Sequence, residues 1–305
     1  MSASPSAPGA LNWFLIIALG VIWGTAFMGV STALTGLTPW WITAGRVGLA
    51  ALILLPVGAL MGQGLGKVRG GRAWAVIAFM GLISTALPFA LLSWGLTQVP
   101  SAFAGVAMGT VPLLVLPLVA VFSPDEGIGP RRIVGVVLGF AGLVLLMGPG
   151  AFGEGKLAGR LACVGAAACY AVGSVVTRRA PPIPPVAFAA GSMLIGAIAL
   201  VPLAYAFEGV PELTRAAALW ALFYVALLPT GIAAIIRVRV ITTAGSLFMS
   251  LTSYMVPLWA VIFGVTIMGE ALPAQLFWAL GIILAGIGIS QSRAIAQQLR
   301  PKTKT

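Results

Sequence analysis

Long apolar blocks separated by short polar links dominate the chain. Each block is about 20 residues long, the length at which an α-helix crosses a ~30 Å hydrocarbon core. The alternation of apolar and polar residues expected of a membrane β-barrel is absent. The pattern therefore predicts an all-α membrane protein with ten transmembrane helices, at residues 12–33, 39–61, 74–97, 102–122, 132–148, 157–177, 186–207, 216–236, 245–268 and 273–292.

The composition supports a membrane protein and argues against a soluble one. Of the 305 residues, 60% are hydrophobic and 8% are charged, whereas soluble chains carry roughly 25% charged residues. The first ten residues lack the basic region of a secretory signal, and the first apolar block is longer than a signal's apolar core. We therefore expect this block to be retained as the first span.

The basic residues predict the orientation in the bilayer. With the N-terminus in the cytoplasm, 13 of the 17 Lys and Arg fall in inner links or the tail, three fall in outer links, and Arg46 lies inside a span. Since cytoplasmic links are enriched in Lys and Arg, both termini are predicted to be cytoplasmic. The same rule explains the net charge of +11 without a nucleic-acid partner. The inner residues are Lys67, Arg69, Arg72, Arg131, Arg132, Arg178, Arg179, Arg237, Arg239, Arg293, Arg300, Lys302 and Lys304.

The second half of the chain repeats the first after 146 positions. We expect a first five-helix repeat at 12–148, a second at 157–292 and a cytoplasmic tail at 293–305. Because five is odd, the second repeat enters the membrane upside down, an arrangement typical of secondary transporters with a mid-membrane substrate site. Matched positions include Pro39 with Pro185, Gly45 with Gly191, Pro56 with Pro202, and Gly135 with Gly281.

Short motifs carry a resemblance to a known family. They are Trp23-Gly24-Thr25 in the first span, Pro112-Leu113 followed by Asp125-Glu126, and Pro257-Leu258 followed by Gly269-Glu270. With the two five-helix halves, they resemble the drug/metabolite transporter superfamily in its EamA-repeat form, most of all the YddG-type bacterial exporters of aromatic and other amino acids. The resemblance implies an exporter of the bacterial inner membrane, with spans one, three, four, six, eight and nine around a central cavity. The chain departs from the common pattern at Cys169-Tyr170, where many second repeats have Trp.

The ninth span gives the sharpest local signal for a binding site. Ser246, Ser250, Ser253, Tyr254 and Pro257 share one face of a helix. Such a polar stripe faces either a cavity or another helix, since Ser and Thr also join helices by hydrogen bonds. Both interpretations stay open, with Ser250 and Tyr254 the strongest cavity candidates.

Other spans add prolines and aromatic residues. Pro88, Pro112, Pro229 and Pro257 interrupt spans three, four, eight and nine, either as hinges or as static kinks. Aromatic side chains in mid-membrane either stack on a substrate or pack in the core. The predicted substrate-binding residues are Trp23, Phe27, Pro88, Trp94, Met108, Tyr170, Ser174, Ser246, Ser250, Ser253 and Tyr254.

Ionisable residues are scarce inside the spans. The chain has no histidine, and no carboxylate falls within a predicted span. We therefore expect no enzyme, no metal and no cofactor, and transport as uniport or exchange, because proton-coupled carriers relay through buried Asp, Glu or His. For Arg46, three roles are open: pairing with an outer carboxylate, snorkelling to the interface, or attracting an anionic group. We expect one of the first two.

The expected substrate is a small molecule, most simply an amino acid, although two alternatives keep the same fold. These are a sugar-phosphate or nucleotide-sugar exchanger, which normally needs buried Lys or Arg, and a proton-coupled drug exporter. Gly135-x3-Gly139 and Gly281-x3-Ala285 predict close packing through spans five and ten. That contact forms either within a monomer or between two copies in a homodimer.

Overall fold

Residues 9–122, 129–148, 156–244 and 246–299 are described by a computed structural model of the chain. In this part of the chain all regular secondary structure is helical, and no β-strand is present. The predicted inner link with Asp125 and Glu126 lies outside the described residues, as do residues 300–305. The α-helices are α1 (Ala10–Ala33), α2 (Pro39–Leu60), α3 (Gly71–Gly81), α4 (Leu87–Gly95), α5 (Ser101–Met108), α6 (Val111–Phe122), α7 (Pro130–Met147), α8 (Lys156–Arg178), α9 (Pro185–Glu208), α10 (Ala216–Ala226), α11 (Ala233–Ala244), α12 (Ser246–Met249), α13 (Thr252–Thr266) and α14 (Ala274–Leu299).

Seven helical segments among these residues are long and apolar enough to cross a membrane. Three shorter apolar helices accompany them, at Ile133–Met147, Thr252–Thr266 and Ala274–Ser290. Each predicted span falls on one of these ten segments. The seven long segments are Ala10–Ala33, Pro39–Leu60, Gly71–Gly95, Ser101–Leu118, Leu157–Arg178, Pro185–Glu208 and Ala216–Ile241.

Two helices continue past the predicted ends of their spans. The eighth segment continues to Ala244 instead of ending at Ile236, and it takes Arg237 and Arg239 into α11. The last helix continues to Leu299, into the predicted tail. The reason is the same in both places: arginine, alanine and glutamine are good helix formers, so a positive charge does not end a helix.

Close packing of α7 on α14 depends on small residues. A Cβ atom added to Gly135 would lie 2.5 Å from the carbonyl oxygen of Gly286, and one added to Gly286 would lie 2.6 Å from that of Gly135. The contact predicted for spans five and ten therefore forms within one chain. Gly281 and Ala285, the second predicted motif, are exposed, because the helix turns Gly286 toward α7 instead.

Helix ends from one half are capped by side chains from the other half. The Glu208 carboxylate accepts hydrogen bonds from the backbone N–H groups of Trp40 and Trp41, at 3.4 and 3.3 Å, at the start of α2. In return, the Gln63 side chain, which follows α2, accepts from the N–H of Val186 at 3.2 Å at the start of α9. The first turn of a helix has free N–H groups and a partial positive charge, so oxygen acceptors stabilise it.

Glu270 has the same capping role at another helix. Its carboxylate accepts from the N–H groups of Ser101 and Ala102, at 2.6 and 3.1 Å, at the start of α5. This contact explains Glu270, the acidic residue that follows Pro257-Leu258 in the second of the two family motifs. The carboxylate stabilises a helix end and is thereby committed to a backbone contact.

Candidate substrate-binding site

Two π-helical turns lie at equivalent places in the two halves. Leu82–Ala86 separates α3 from α4, and Leu227–Ile232 separates α10 from α11. Wider turns of this kind occur at functional sites, and they disturb the regular pairing of backbone carbonyls. The hydroxyl of Thr230 donates to the carbonyl of Val225 at 2.7 Å, in a turn where Pro229 has no N–H to offer.

Arg46 of α2 reaches the second π-helical turn. Its Nε–H donates to Thr230 Oγ1 at 2.8 Å, and its guanidinium carbon lies 3.8 Å from the centre of the Phe89 ring. The Phe89 ring in turn meets the ring of Tyr170 from α8, with 6.4 Å between the ring centres. We call Arg46, Phe89, Tyr170 and Thr230 the Arg46 cluster. It joins α2, α4, α8 and the turn between α10 and α11.

Snorkelling, one of the two roles expected for Arg46 from the sequence, is wrong. The residue is 7% exposed, so its side chain does not snorkel to an interface. Pairing with an outer carboxylate is not found with Glu208, Glu212 or Glu270, and Glu154 lies outside the described residues. Within the described residues Arg46 forms no ion pair, while Glu208 and Glu270 cap helices elsewhere. Burial against Phe89 and Thr230 depends on which helices meet around α2, and a single span does not reveal this.

Aromatic residues from both halves pack in one apolar cluster. Phe27 is one of the buried members of this cluster. Tyr170, Tyr224, Tyr254 and Met108 are partly buried and pack against the cluster as a whole. Phe27 is fixed partly by α5, since a Cβ added to Gly105 would lie 3.4 Å from the Phe27 ring and 2.1 Å from Ala260 Cβ. Four predicted residues, Phe27, Met108, Tyr170 and Tyr254, thus belong to or border one large apolar cluster.

Two contacts connect α1 to the second half beside this cluster. The indole N–H of Trp23 donates to the carbonyl of Pro229 at 3.0 Å. The hydroxyls of Thr25 and Tyr224 also form a hydrogen bond with each other. Trp23 was predicted as a binding residue, whereas Tyr224 was not. No signal in the local sequence distinguishes Tyr224, because only the packing of α1 on α10 gives it a polar partner.

The ninth segment is not one continuous helix. It breaks at Ser250 and Leu251, between α12 and α13, where the N–H of Ser253 bonds the carbonyl of Ser250 at 3.0 Å. The predicted stripe of Ser250, Ser253 and Tyr254 therefore does not follow a regular helical face. For Ser246 the backbone alone is described. The Tyr254 hydroxyl is buried and has no hydrogen-bond partner in the described part of the chain.

The remaining predicted residues occupy different surroundings. Pro88 is buried immediately after the first π-helical turn. The Ser174 hydroxyl donates to the carbonyl of Tyr170 at 2.8 Å, within α8. Trp94 is 42% exposed, and lies apart from the buried cluster. Pro257, where the sequence predicts an interruption of the ninth span, lies inside α13. The break in this segment comes earlier in the chain.

The assembled residues offer a limited chemistry. Aromatic faces, hydroxyls and a single guanidinium can bind a small amphipathic molecule through stacking and hydrogen bonds. The four residues of the Arg46 cluster include neither a carboxylate nor a histidine, so the cluster lacks an ordinary proton acceptor. Its chemistry favours recognition of a solute.

A model of the EamA-like transporter family matches residues 11–148 and again residues 157–291. The chain belongs to the EamA-like transporter family. It is a membrane transporter with apolar helices in both matched regions. The non-enzymatic role expected from the sequence is consistent with the transporter names of its relatives.

This EamA protein is similar to several curated relatives. It is 27% identical over 276 residues to the uncharacterized inner membrane transporter YedA of Escherichia coli, with 89% of this chain and 88% of that protein covered. It is 30% identical over 169 residues to the aromatic amino acid exporter YddG of Ancylobacter novellus, with 54% and 57% covered. A WAT1-related chloroplastic protein of Arabidopsis thaliana is 27% identical, and the chain spans 64% of its length.

The fold of this EamA protein also has a counterpart among solved structures. One crystal structure superposes with a TM-score of 0.69 at 23% sequence identity. The match covers 96% of this chain and 100% of the other. Likeness at this identity supports the fold alone.

Proposed function

We propose that this chain exports aromatic and other amino acids across the inner membrane of a bacterium. The observation that carries the proposal is one apolar cluster that contains Phe27 and is bordered by Tyr170, Tyr224 and Tyr254, with the Tyr254 hydroxyl buried and without a hydrogen-bond partner among the described residues. Aromatic faces suit an apolar side chain, and a buried hydroxyl stabilises a bound polar group. The similarity to the exporter YddG supports the same substrate class.

The proposed architecture has ten membrane crossings in two inverted five-helix repeats. Helix contacts that recur in both halves support it: α1 packs on α11 as α8 packs on α4, and α1 packs on α13 as α8 packs on α6. The 13 to 3 distribution of basic residues supports cytoplasmic termini. Alternating access then consists of one half moving against the other around the shared site.

Transport is proposed to be uniport or exchange. The chain has no histidine, and its six acidic residues lie in links or at span ends. A proton relay through the bilayer normally uses buried Asp, Glu or His. A pH step imposed on proteoliposomes without a substrate gradient is therefore expected to cause no accumulation, and accumulation would favour the proton-coupled alternative.

A sugar-phosphate exchanger is a second candidate because Arg46 is buried rather than interfacial. Buried cations normally accompany phosphate binding. The Arg46 cluster contributes one cation, and its other members are aromatic or hydroxyl residues. A singly charged carboxylate therefore fits this cluster better than a phosphate dianion.

The decisive experiment is counterflow in proteoliposomes. Proteoliposomes that contain the purified protein are loaded with unlabelled phenylalanine. Their uptake of labelled phenylalanine is compared with that of protein-free liposomes. We expect uptake that other aromatic amino acids reduce by competition. Competition by phosphate esters alone would contradict the amino-acid proposal and support the exchanger.

Tyr254 provides a test of the site itself. Tyr254→Phe removes a buried hydroxyl that has no hydrogen-bond partner in the described part of the chain, so the thermal stability is expected to stay the same or rise. The apparent affinity for phenylalanine is expected to fall if this hydroxyl contacts the substrate. Tyr205→Phe, at a tyrosine that is 62% exposed, is the matched control. Equal transport by both variants would remove Tyr254 from the site.

A further inference from the structure

Arg46 is a buried arginine with more hydrogen-bond donors than the protein supplies with acceptors. A guanidinium carries five N–H donors, and in Arg46 the Nε–H bonds Thr230 at 2.8 Å. Across the described residues, the Nη1 and Nη2 groups have no acceptor, and both keep some accessible surface, because the Tyr254 hydroxyl is the one fully buried side-chain N or O atom without a partner there. Since a buried charge is costly unless it is paired, a group from outside the protein would complete this site.

The orientation of the guanidinium is fixed before any ligand arrives. Phe89 lies against its face, 3.8 Å from ring centre to guanidinium carbon. Thr230 holds the Nε edge while its own hydroxyl donates to Val225. Phe89 is positioned in turn by Thr43, whose hydroxyl lies 3.4 Å from the Phe89 carbonyl oxygen. These contacts leave the edge that carries both Nη groups for a partner.

The repeat indicates that the fold does not require this charge. The residue 146 positions after Arg46 is Ser192, which is equally buried in α9 at 4% exposure. The neighbouring glycines, Gly45 and Gly191, are the same in both halves. A small neutral residue therefore satisfies the packing at this place in the second half, and the arginine adds a chemical property to the first.

We infer that the Arg46 guanidinium binds the carboxylate of the transported molecule. This inference rests on the proposed function and names the group by which the substrate is recognised. Two parallel N–H···O bonds from Nη1 and Nη2 match the two oxygens of a carboxylate. The Phe89 ring lies beside the guanidinium and meets the ring of Tyr170, and on these rings an apolar or aromatic side chain of the same molecule gains contact area.

The test is ligand-dependent thermal stabilisation of the purified full chain in detergent, with four probes that share a phenyl ring. Phenylalanine and 3-phenylpropionate have a carboxylate, phenylalaninamide does not, and phenyl phosphate carries a phosphate. Because a ligand raises the unfolding temperature according to its affinity, each midpoint shift gives an apparent Kd. We expect the wild type to bind both carboxylates at least tenfold more tightly than the amide.

The variants assign this preference to Arg46. In Arg46→Gln, the carboxylates are expected to bind about 10- to 100-fold more weakly, while the amide is unchanged. Arg46→Lys keeps the charge without the paired donors and is expected to lose a few-fold. Arg72→Gln, at an exposed arginine, is the control that retains wild-type affinities.

Each outcome decides between carboxylate recognition and another role. A wild type without carboxylate preference, or an Arg46→Gln variant that retains it, overturns the inference. Equal weakening of all probes makes Arg46 purely structural and also overturns it. Arg46-dependent binding of phenyl phosphate tighter than that of phenylpropionate assigns the site to phosphate instead. If 3-phenylpropionate binds through Arg46 but phenylalanine shows no counterflow, the carboxylate subsite stands and the amino-acid function fails.

Discussion

The helices α2 and α9 occupy equivalent places in the two halves and pack against each other, yet one matched position carries a charge in α2 and a small neutral residue in α9. A Cβ added to Gly45 of α2 would lie 2.9 Å from Leu222 of α10, and one added to Gly191 of α9 would lie 2.9 Å from Ile77 of α3. The next residue is Arg46 in α2 and Ser192 in α9, and both are buried. The same backbone approach therefore supports two different side chains.

The partners of these two residues differ in the same way. Ser84 and Thr230 are also 146 positions apart, and each lies in a π-helical turn. The Ser84 hydroxyl donates to the carbonyl of Cys169 at 3.2 Å, whereas the Thr230 hydroxyl accepts from Arg46. One turn is used to join helices and the other to hold a cation. The duplicated scaffold is shared, and the candidate chemistry is confined to one copy.

The largest effect is expected from placing a second arginine in the equivalent position. Ser192→Arg buries a charge where α3 approaches α9 so closely that a Cβ on Gly81 would lie 2.7 Å from the Ser192 carbonyl oxygen. The unfolding free energy is expected to fall by about 3 kcal/mol or more, because a charge inside the bilayer needs a partner. Thermal unfolding in detergent measures the change.

Ser192→Ala is the matched control for this substitution. The Ser192 hydroxyl makes a long bond of 3.5 Å to the carbonyl of Ile77. Its removal is expected to cost about 0.5 kcal/mol or less, at the weak end of hydrogen-bond contributions. If Ser192→Arg were as stable as Ser192→Ala, the two halves would tolerate the same charge, and the contrast between them would be lost.

A smaller loss is expected from Thr230→Val, which keeps the shape of the side chain and removes its hydroxyl. The substitution leaves two buried groups without partners, the Val225 carbonyl and the Nε–H of Arg46. Unsatisfied groups of this kind cost about 1–3 kcal/mol. Thr230→Ser retains the hydroxyl and is expected to remain near wild type. Equal unfolding temperatures for the Val and Ser variants would contradict the assigned role of Thr230.

The sequence predicts the helical segments well but not their interruptions. Blocks of about 20 apolar residues locate every segment, because the bilayer thickness demands that length. The break at Ser250 and Leu251 precedes Pro257 by six or more positions, so the proline does not mark it. Irregular turns also depend on hydrogen bonds made after the helices assemble, as between Arg46 and Thr230. Such bonds are not encoded in a local pattern.

The candidate site is predicted in part. Phe27, Met108, Tyr170 and Tyr254 belong to or border one apolar cluster because mid-span aromatic and flexible residues in the central helices tend to pack in a core. Arg46 was recognised as an unusual charge, but its burial depends on Phe89 and Thr230 from two other helices. Trp94, another predicted binding residue, lies near the end of its predicted span and is 42% exposed, because an aromatic residue there faces outward as readily as inward.

An intermediate and equal effect is expected from Gly45→Val and Gly191→Val. Each new side chain meets an atom 2.9 Å from its Cβ, and overpacking of this kind costs about 1–2 kcal/mol. Gly48→Val is the control, since a Cβ there has its nearest neighbour at 4.0 Å. Thermal unfolding of the three variants compares the halves directly. A much larger loss at one glycine than at the other would mean that the scaffold itself is asymmetric.

The smallest effect is expected from Ser84→Ala, the counterpart of Thr230→Val in the first half. The Ser84 hydroxyl makes one bond, to the Cys169 carbonyl, and touches no cation. Removing it should cost about 0.5–1.5 kcal/mol, as for a typical intramolecular hydrogen bond. Because Gly173 lies against the same side chain, alanine keeps part of the contact. If the first turn joins helices and the second holds Arg46, Ser84→Ala lowers thermal stability without changing the preference for carboxylate ligands. Thr230→Val is then expected to lower both the thermal stability and this preference. A change in carboxylate preference in Ser84→Ala would place the first π-helical turn in the binding site as well.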